Sequence, residues 1–451
     1  MSVTLSLAKE LFRPKLINLQ NWRPSLPEYV LFVCQRLQER GIKAYVVGGS
    51  IREMLLGKEA LDWDLVADCD IGRLKEIFQD HSHFSFRDMV FSMVISKQKL
   101  EISSVKGNHI REDLSKRDFT INAIAYAPIK GQLLDPFNGL RDLREGIVRA
   151  VEEPAYRFLE DPLRMLRAIR FMAELFFVIE KNTLKEIIKK AHLLKNVSVE
   201  RIRDELKKIL LSPSPYMPLW YLVSTNLMQN ISIEVHGMKH IKQSPPHKHK
   251  VLKHTFLTVE NTPPSISLRF AALLHDIAKP LVHTLKEGRH RFWGHQNLGA
   301  KMAKDILSHL RFPNSLSEHV SLLVKHHLIF YDPSWTDKAI KRFIQKIEPL
   351  SLWELLALRR ADILAQGFDS SGLAQIKDLE YRAKALGAFK SPSQIPLSVN
   401  GNTLMSALKI PPGPKLGRIL KELKEWVSEH QEDNEPKRLL LLAKEIKGRL
   451  K

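Results

Sequence analysis

Two acidic residues separated by one residue, Asp62 and Asp64, open a short apolar run that ends at Val66. In a strand, residues i and i+2 point to the same face, so this run sets two carboxylates side by side. They repel unless a cation lies between them. Mg²⁺ suits such a place, because it takes hard oxygen ligands and keeps sites for phosphate. The plainer alternative is a solvated strand face. The residues just before reinforce the first view. Ala44–Val47 read as a strand, Gly48-Gly49 as a turn, and Ser50–Leu56 as a helix closed by Gly57. Ser50 and Glu53 have capping-box spacing. Glycines at a helix N-terminus let backbone N–H groups approach a phosphate, and Arg52 adds a fixed positive charge.

The neighbouring pattern extends this into a small α/β unit over residues 40–145. Residues 1–40 read as an amphipathic helical stretch ending near Gly41, and Leu61–Val66 as a second strand. Residues 73–79 read as a helix and 90–105 as a hairpin carrying Glu101, a candidate third carboxylate. A helix is expected to start near Asp118, and Gly131 marks a turn. From Pro154 onward the spacing of apolar residues becomes helical, with Leu159–Leu175 and Val199–Leu211 as clear stretches. Pro213 and Pro215 interrupt it, and the basic, Pro- and His-rich segment Lys239–Lys253 reads as a linker. Pro392, Pro396, Pro411, Pro412 and Pro414 punctuate a final segment that ends in a basic helical tail.

Composition narrows the class. With 451 residues, the length prior is about three domains. No run of 18 apolar residues occurs, which argues against a membrane-spanning helix, and the N-terminus lacks a core of signal-peptide length. A cytoplasmic protein with no membrane partner is expected. Cys34 and Cys69 are too few for a disulfide framework or a cysteine metal site. The net charge of +20 points to an anionic partner, nucleic acid first.

Gly48-Gly49-Ser50-Ile51-Arg52 with Asp62-Trp63-Asp64 resembles the opening motif of class II tRNA nucleotidyltransferases and bacterial poly(A) polymerases. Lys116-Arg117-Asp118-Phe119-Thr120-Ile121-Asn122-Ala123 resembles their second motif, and Asp135-Pro136-Phe137-Asn138-Gly139 with Asp142-Leu143 the third. Glu160-Asp161-Pro162-Leu163-Arg164, continuing to Arg167, Arg170 and Phe171, resembles the fourth. Ser198, Glu200, Arg201 and Glu205 resemble the fifth. Glu53 and Lys116 stand where the family more often has Asp and Arg.

The resemblance implies a catalytic trio of Asp62, Asp64 and Glu101, with Asp62 and Asp64 holding Mg²⁺. It implies nucleotide binding by Gly48, Gly49, Ser50, Arg52, Arg117, Asp118, Asn122, Asp161, Arg164, Arg167 and Arg170. It further implies tRNA and CTP, possibly ATP, as partners. Asp161 and Arg164, three apart on a helix, would share a face. A carboxylate accepts and a guanidinium donates, so the pair matches the amino group and ring nitrogen of C or A and not those of U or G. An intrahelical salt bridge is the plain alternative.

Full C-C-A-adding members carry a longer flexible segment, with an Arg-Arg-Pro pattern, between the hairpin carboxylate and the second motif. Here Glu101 leads to Lys116 without it. That resembles the C-C-adding subset, which depends on a separate A-adding enzyme. Full C-C-A addition and poly(A) synthesis are the alternatives, the latter opposed by the missing basic motif after Phe171.

Thirteen of the eighteen histidines fall between His236 and His327, a clustering that asks for a metal or phosphate explanation. His254, His275-Asp276 and Asp362 resemble the metal-ligand order of the HD phosphohydrolase superfamily, with His295 and His326 as further candidate ligands and His327 expected at the surface. A divalent metal of unspecified identity is implied there. A chain that is chiefly an HD phosphohydrolase with a non-catalytic RNA-binding head is the alternative from another class. The expected architecture is an α+β nucleotidyltransferase head with a small antiparallel or mixed sheet, followed by all-α neck, HD and tail regions. The boundaries are 1–150 for the head, 151–235 for the nucleotide-selecting neck, 236–380 for the HD region and 381–451 for a tRNA-binding tail.

Overall fold

The computed structural model describes residue 17 and residues 22–449, apart from 61, 87–89, 96–97, 348–349, 368–369, 387–396, 412 and 430–432. The helical reading over residues 1–21 (residue 17 aside), Leu61, Pro392, Pro396 and Pro412 lie outside the described residues. The chain divides into two compact units, 1–197 and 198–451.

The first unit is built on a seven-stranded mixed sheet. Its strands are β1 (Ala44–Val47), β2 (Asp64–Ala67), β3 (His83–Phe86), β4 (Val90–Ile95), β5 (Gln98–Ser104), β6 (Ala125–Ala127) and β7 (Gln132–Leu134). The order is β3-β4-β5-β2-β1-β6-β7, and only β2 and β5 run parallel. Val46, Val47, Val66 and Ile102 are fully buried in this sheet, each worth about 1.5–3 kcal/mol. The helix Glu28–Gln38 buries Val30, Val33, Cys34 and Leu37, the helical stripe that the sequence spacing implies.

Four local expectations are corrected. The second strand starts at Asp64, because its ladder with β1 begins at the Asp64–Val47 pair and Gly48 turns the chain away immediately afterwards. Asp62 therefore precedes the strand. Gly48, not Ser50, caps the following helix Gly49–Leu55; the Ser50 hydroxyl donates to Val47 O at 3.1 Å, and Glu53 pairs with Arg52. No helix starts at Asp118. Phe119 is extended and bridged to Ala150, and only a 3₁₀ turn, Thr120–Asn122, follows. The stretch Leu159–Leu175 is two helices, Pro154–Glu160 and Arg164–Leu175. Pro162 lacks an N–H and holds Asp161 extended, at φ −147° and ψ 97°.

The second unit is largely helical. Val251–Asn261, Ile266–Leu274, His295–His309, Asn314–His326 and Leu352–Gln366 carry or flank the clustered histidines. Buried Arg269 ties the start of this unit together by donating to Leu210 O, Ser212 O and Thr262 O. Burial pulls its pKa down to about 10, so it stays charged at neutral pH. The tail helices Gly401–Leu408, Pro414–Glu429 and Pro436–Arg449 share an apolar cluster that includes Leu404, Ile419, Leu423, Leu439 and Ala443. Among the described residues, no helix is long and apolar enough to cross a membrane.

Gly139 locks the third-motif turn against the 3₁₀ turn. A Cβ there would lie 2.2 Å from the Thr120 carbonyl oxygen. Its N–H and that of Leu140 donate to the Asp135 carboxylate at 2.7 and 2.9 Å. Gly139→Ala should therefore destabilise the first unit by about 1–3 kcal/mol, read as a lower melting temperature beside an Ala substitution at Gly417, a helical position where a Cβ meets nothing within 4 Å.

Candidate active site and metal centre

The parallel pairing of β2 and β5 sets Asp64 directly opposite Glu101. Asp62, two residues upstream, is near enough that its charge and that of Glu101 both raise the pKa of Asp64. Burial is the largest cause of that rise, and Arg117 opposes it. Asp64 and Glu101 thus face each other across the strand pair, with the charge of Asp62 within reach of Asp64. Gly48, at φ +76°, closes the site from the β1 side; a Cβ on it would lie 3.0 Å from Arg117 Nη1 and 3.8 Å from Asp64 Oδ2. Arg117 is held by Asp113 at 3.2 Å, and Glu101 pairs with Lys99 on the same strand face. Hard oxygen donors placed close together, with neighbouring carboxylates disfavouring the charge on Asp64, fit a divalent cation.

A second group lies beside the first. Arg52 pairs with Glu53 at 2.8 Å and donates to the Asn122 amide oxygen. Asn122 Nδ2 donates to Asp118 Oδ1 at 2.9 Å, and Arg167 pairs with Asp118 Oδ2 at 2.6 Å. Gly49 adjoins Arg52, since a Cβ there would lie 3.7 Å from Nη2. Arg170 pairs with Glu174 at 2.8 Å. Burial alone would raise the Asp118 pKa. The Arg167 charge and hydrogen bonds from Asn122, Arg167 and the Phe119 N–H outweigh it and hold the carboxyl below its ordinary value.

Asp161 and Arg164 do not lie three apart on one helix. Asp161 stands before the helix in a turn, where its Oδ1 accepts the Leu163 N–H at 3.2 Å and its carbonyl accepts the Arg164 N–H at 3.1 Å. Arg164 opens the helix and donates to Glu160 at 2.9 Å and Lys116 O at 2.8 Å.

In the second unit, four predicted ligands converge. His254 Nε2 is 3.3 Å from His275 Nε2 and 3.0 Å from Asp362 Oδ1, and His275 Nε2 is 3.2 Å from Asp276 Oδ2. The other oxygen of Asp276 is 3.5 Å from His295 Nε2. The structure adds His327, buried, with its Nε2 3.4 Å from His295 Nε2. His326 lies outside this cluster, and His327 is not at the surface. The periodicity carries the signal: His327 continues the buried stripe Val320, Leu323, Val324, which His326 leaves.

The Nδ1 atoms of His275, His295 and His327 each donate to the carbonyl three residues back, at 2.7–2.8 Å. That fixes the tautomer and turns the Nε2 lone pairs inward, as metal ligation requires. Burial pulls the His327 pKa to about 3, so it stays neutral. Burial also opposes a charge on His275, but Asp276 and Asp362 outweigh it and hold its pKa above the ordinary value, so the two carboxylates favour positive charge at this ring. Asp276 thus stands between two ligand triads, His254–His275–Asp276 and Asp276–His295–His327. His275, Asp276, His295 and His327, with Asp362, line a cavity of about 500 Å³, whose wall includes Gln243 and His247. The segment expected to be a linker is therefore partly a wall of this site.

The Asp118 pairing predicts a pH signature. A carboxylate whose folded pKa is depressed contributes stability above its unfolded pKa and loses it as pH falls through the folded value. Asp118→Asn should lower the melting temperature by a constant amount between pH 6 and 8, and the gap from the parent should narrow below about pH 4.

Comparison with known proteins agrees with this geometry. Residues 44–149 match the poly A polymerase head domain, residues 176–236 the probable RNA and SrmB-binding site of polymerase A, and residues 292–443 the putative tRNA nucleotidyltransferase domain 2. An A-adding tRNA nucleotidyltransferase of Deinococcus radiodurans is 32% identical over 331 residues, 70% of this chain and 75% of its own. A CC-adding tRNA nucleotidyltransferase of Halalkalibacterium halodurans is 34% identical over 221 residues, 48% of this chain; the match spans 58% of that relative's length. The crystal structure of the Bacillus stearothermophilus CCA-adding enzyme in complex with CTP has the same fold. It aligns with a TM-score of 0.59 at 24% identity, over 93% of this chain and 97% of that one. The chain belongs to the tRNA nucleotidyltransferase and bacterial poly(A) polymerase family of enzymes.

Proposed function

We propose that this enzyme adds CMP, without a nucleic-acid template, to the 3′ end of tRNA and stops after two additions. The observation that carries the stop is the connection from β5 to Lys116. It is short and tied down, with a single helix, Ile110–Ser115. The Asp113 carboxylate accepts the Lys106 N–H at 3.2 Å and pairs with Arg117. Glu112 accepts the Asn108 N–H at 3.1 Å, and Lys116 donates to Lys106 O at 3.2 Å. A lever that switches the pocket from cytosine to adenine needs slack that this segment lacks.

The tRNA 3′-hydroxyl attacks the α-phosphorus of CTP, a new P–O bond forms, and pyrophosphate leaves. Bound Mg²⁺ supplies activation of the hydroxyl and neutralisation of the leaving group. Asp62 and Asp64 would hold it, with Glu101 as the third carboxylate beside them. Arg52 and Arg117 grip the triphosphate. Asp161 accepts the cytosine amino proton, while Arg164 donates to the ring nitrogen. Residues 151–235 select the nucleotide, and the basic tail, 381–451, contacts the tRNA backbone. A separate enzyme supplies the terminal A.

In the second unit, His254, His275, Asp276 and Asp362, joined by His295 and His327, hold divalent metal for phosphoester hydrolysis that is independent of the head.

A second reading, addition of the terminal A alone, has one observation in its favour: the A-adding relative matches 70% of the chain. The products separate the readings. Transcripts ending at the discriminator base, at C or at C-C are incubated with Mg²⁺ and CTP, ATP or both. Two additions with CTP and none beyond are expected; a third with ATP present makes the enzyme C-C-A-adding, and extension of only the C-C end by ATP makes it A-adding. On the same substrates, Asp64→Asn should lower kcat about 10³-fold, while His275→Ala leaves nucleotide addition within about twofold of the parent. The reverse pattern, with His275→Ala abolishing the main activity, would make the chain chiefly a phosphohydrolase.

A further inference from the structure

Phe171 is the last aromatic residue of the fourth motif, and its ring is 2% exposed. Three guanidinium groups surround it. The central carbon of Arg170 lies 4.1 Å from the ring centroid, that of Arg52 4.9 Å and that of Arg167 5.5 Å. All three fall within the range over which an aromatic face attracts a cation. Arg52 belongs to the turn-and-helix that follows β1, while Arg167 and Arg170 belong to the helix Arg164–Leu175. The ring is thus shared between the element that carries the phosphate-binding arginine and the element that Arg164 opens.

Hydrogen bonds run alongside the ring and link the same residues. Arg52 donates to Asn122, Asn122 to Asp118, and Arg167 to Asp118. Each arginine also pairs with a carboxylate: Arg52 with Glu53, Arg167 with Asp118 and Arg170 with Glu174. These bonds occupy the N–H edges of the guanidinium groups. Phe119 meets Phe171 edge-on, with centroids 5.6 Å apart, and fixes it from the second motif. The carboxylates offset the like charge of the three guanidinium groups, and the ring gives each of them a further attraction from its face.

We propose that Phe171 is a positioning residue that couples the triphosphate grip of Arg52 to the base-selecting helix. The inference rests on the head being the nucleotide-binding site of the proposed reaction. When a triphosphate draws Arg52 away from Glu53, the ring keeps the guanidinium near its place. The same ring holds Arg167 and Arg170, so the register of the helix that opens with Arg164 follows the state of the phosphate site. Losing the ring therefore costs nucleotide affinity and base selection together, and leaves tRNA affinity unchanged.

The test compares the parent protein with Phe171→Leu, which fills much of the volume without a ring quadrupole, and with Phe171→Tyr, which keeps the ring. KM for CTP, KM for tRNA, kcat and the CTP-to-UTP preference are measured below the melting temperature of all three. In F171L, KM for CTP should rise about tenfold and the preference should fall by a similar factor, with KM for tRNA within about twofold. F171Y should recover most of the affinity. An unchanged KM for CTP in F171L overturns the proposal, as does an equal loss in both variants, which would assign the effect to packing. If the parent adds no CMP to tRNA, the functional reading fails instead. Equilibrium binding of CTP without tRNA then decides the role of Phe171 by the same comparison.

Discussion

Crowding of like charge governs the head. Asp64 and Glu101 face each other across the only parallel pair in the sheet, with Asp62 close by. Nothing in folding alone favours that placement, since burial and the neighbouring negative charges both work against ionised Asp64. The surrounding structure offsets part of it: Arg117 lies beside Asp64, and Lys99 pairs with Glu101. What remains is a site whose electrostatics favour a cation and a polyanion together. The positive φ at Gly48 is part of the same solution, because a side chain there would crowd the Arg117 guanidinium.

The HD-like centre solves the opposite problem. Burial disfavours a charge on His295 and His327, while Asp276 and Asp362 are buried with their pKa values held low. Asp276 is held well below the usual carboxylate range by His275, Lys279 and His254, against the cost of its burial. Lys279 Nζ sits 2.6 Å from Asp276 Oδ2. One centre therefore gathers carboxylates that need a cation, and the other mixes neutral and anionic ligands around a shared aspartate.

Much of this was legible in the sequence, because the informative signals are short-range. The strand–turn–helix from Ala44 to Leu55, the 90–105 hairpin and the helix from Val199 follow from periodicity and glycine placement. The pairing of Asp62 with Asp64 also rests on residue type and spacing, with Glu101 as a candidate from its place on the hairpin. The misses come from contacts that spacing cannot encode. The strand start depends on where β1 ends, and the helix expected at Asp118 gives way to bridging between Phe119 and Ala150. Pro162 did carry a local signal against one continuous helix, but the spacing of apolar residues around it concealed the break. His327 was hidden by its neighbour, and only the phase of the helix before it separates the two. Phe171 looks like a core residue from its spacing, and is one. Its three arginine neighbours come from two elements and appear only when the chain is folded.

Three of the four imidazoles of the HD-like centre, those of His275, His295 and His327, take their orientation from carbonyls three residues behind them. Each of these three thus travels with the group that aims it, within a four-residue stretch of chain. Such a unit is portable: an insertion or deletion elsewhere in the loops leaves the aim of each ring intact. A centre assembled this way can tolerate wide drift in the segments between its ligands, and its sequence trace is a few isolated short words rather than one long motif.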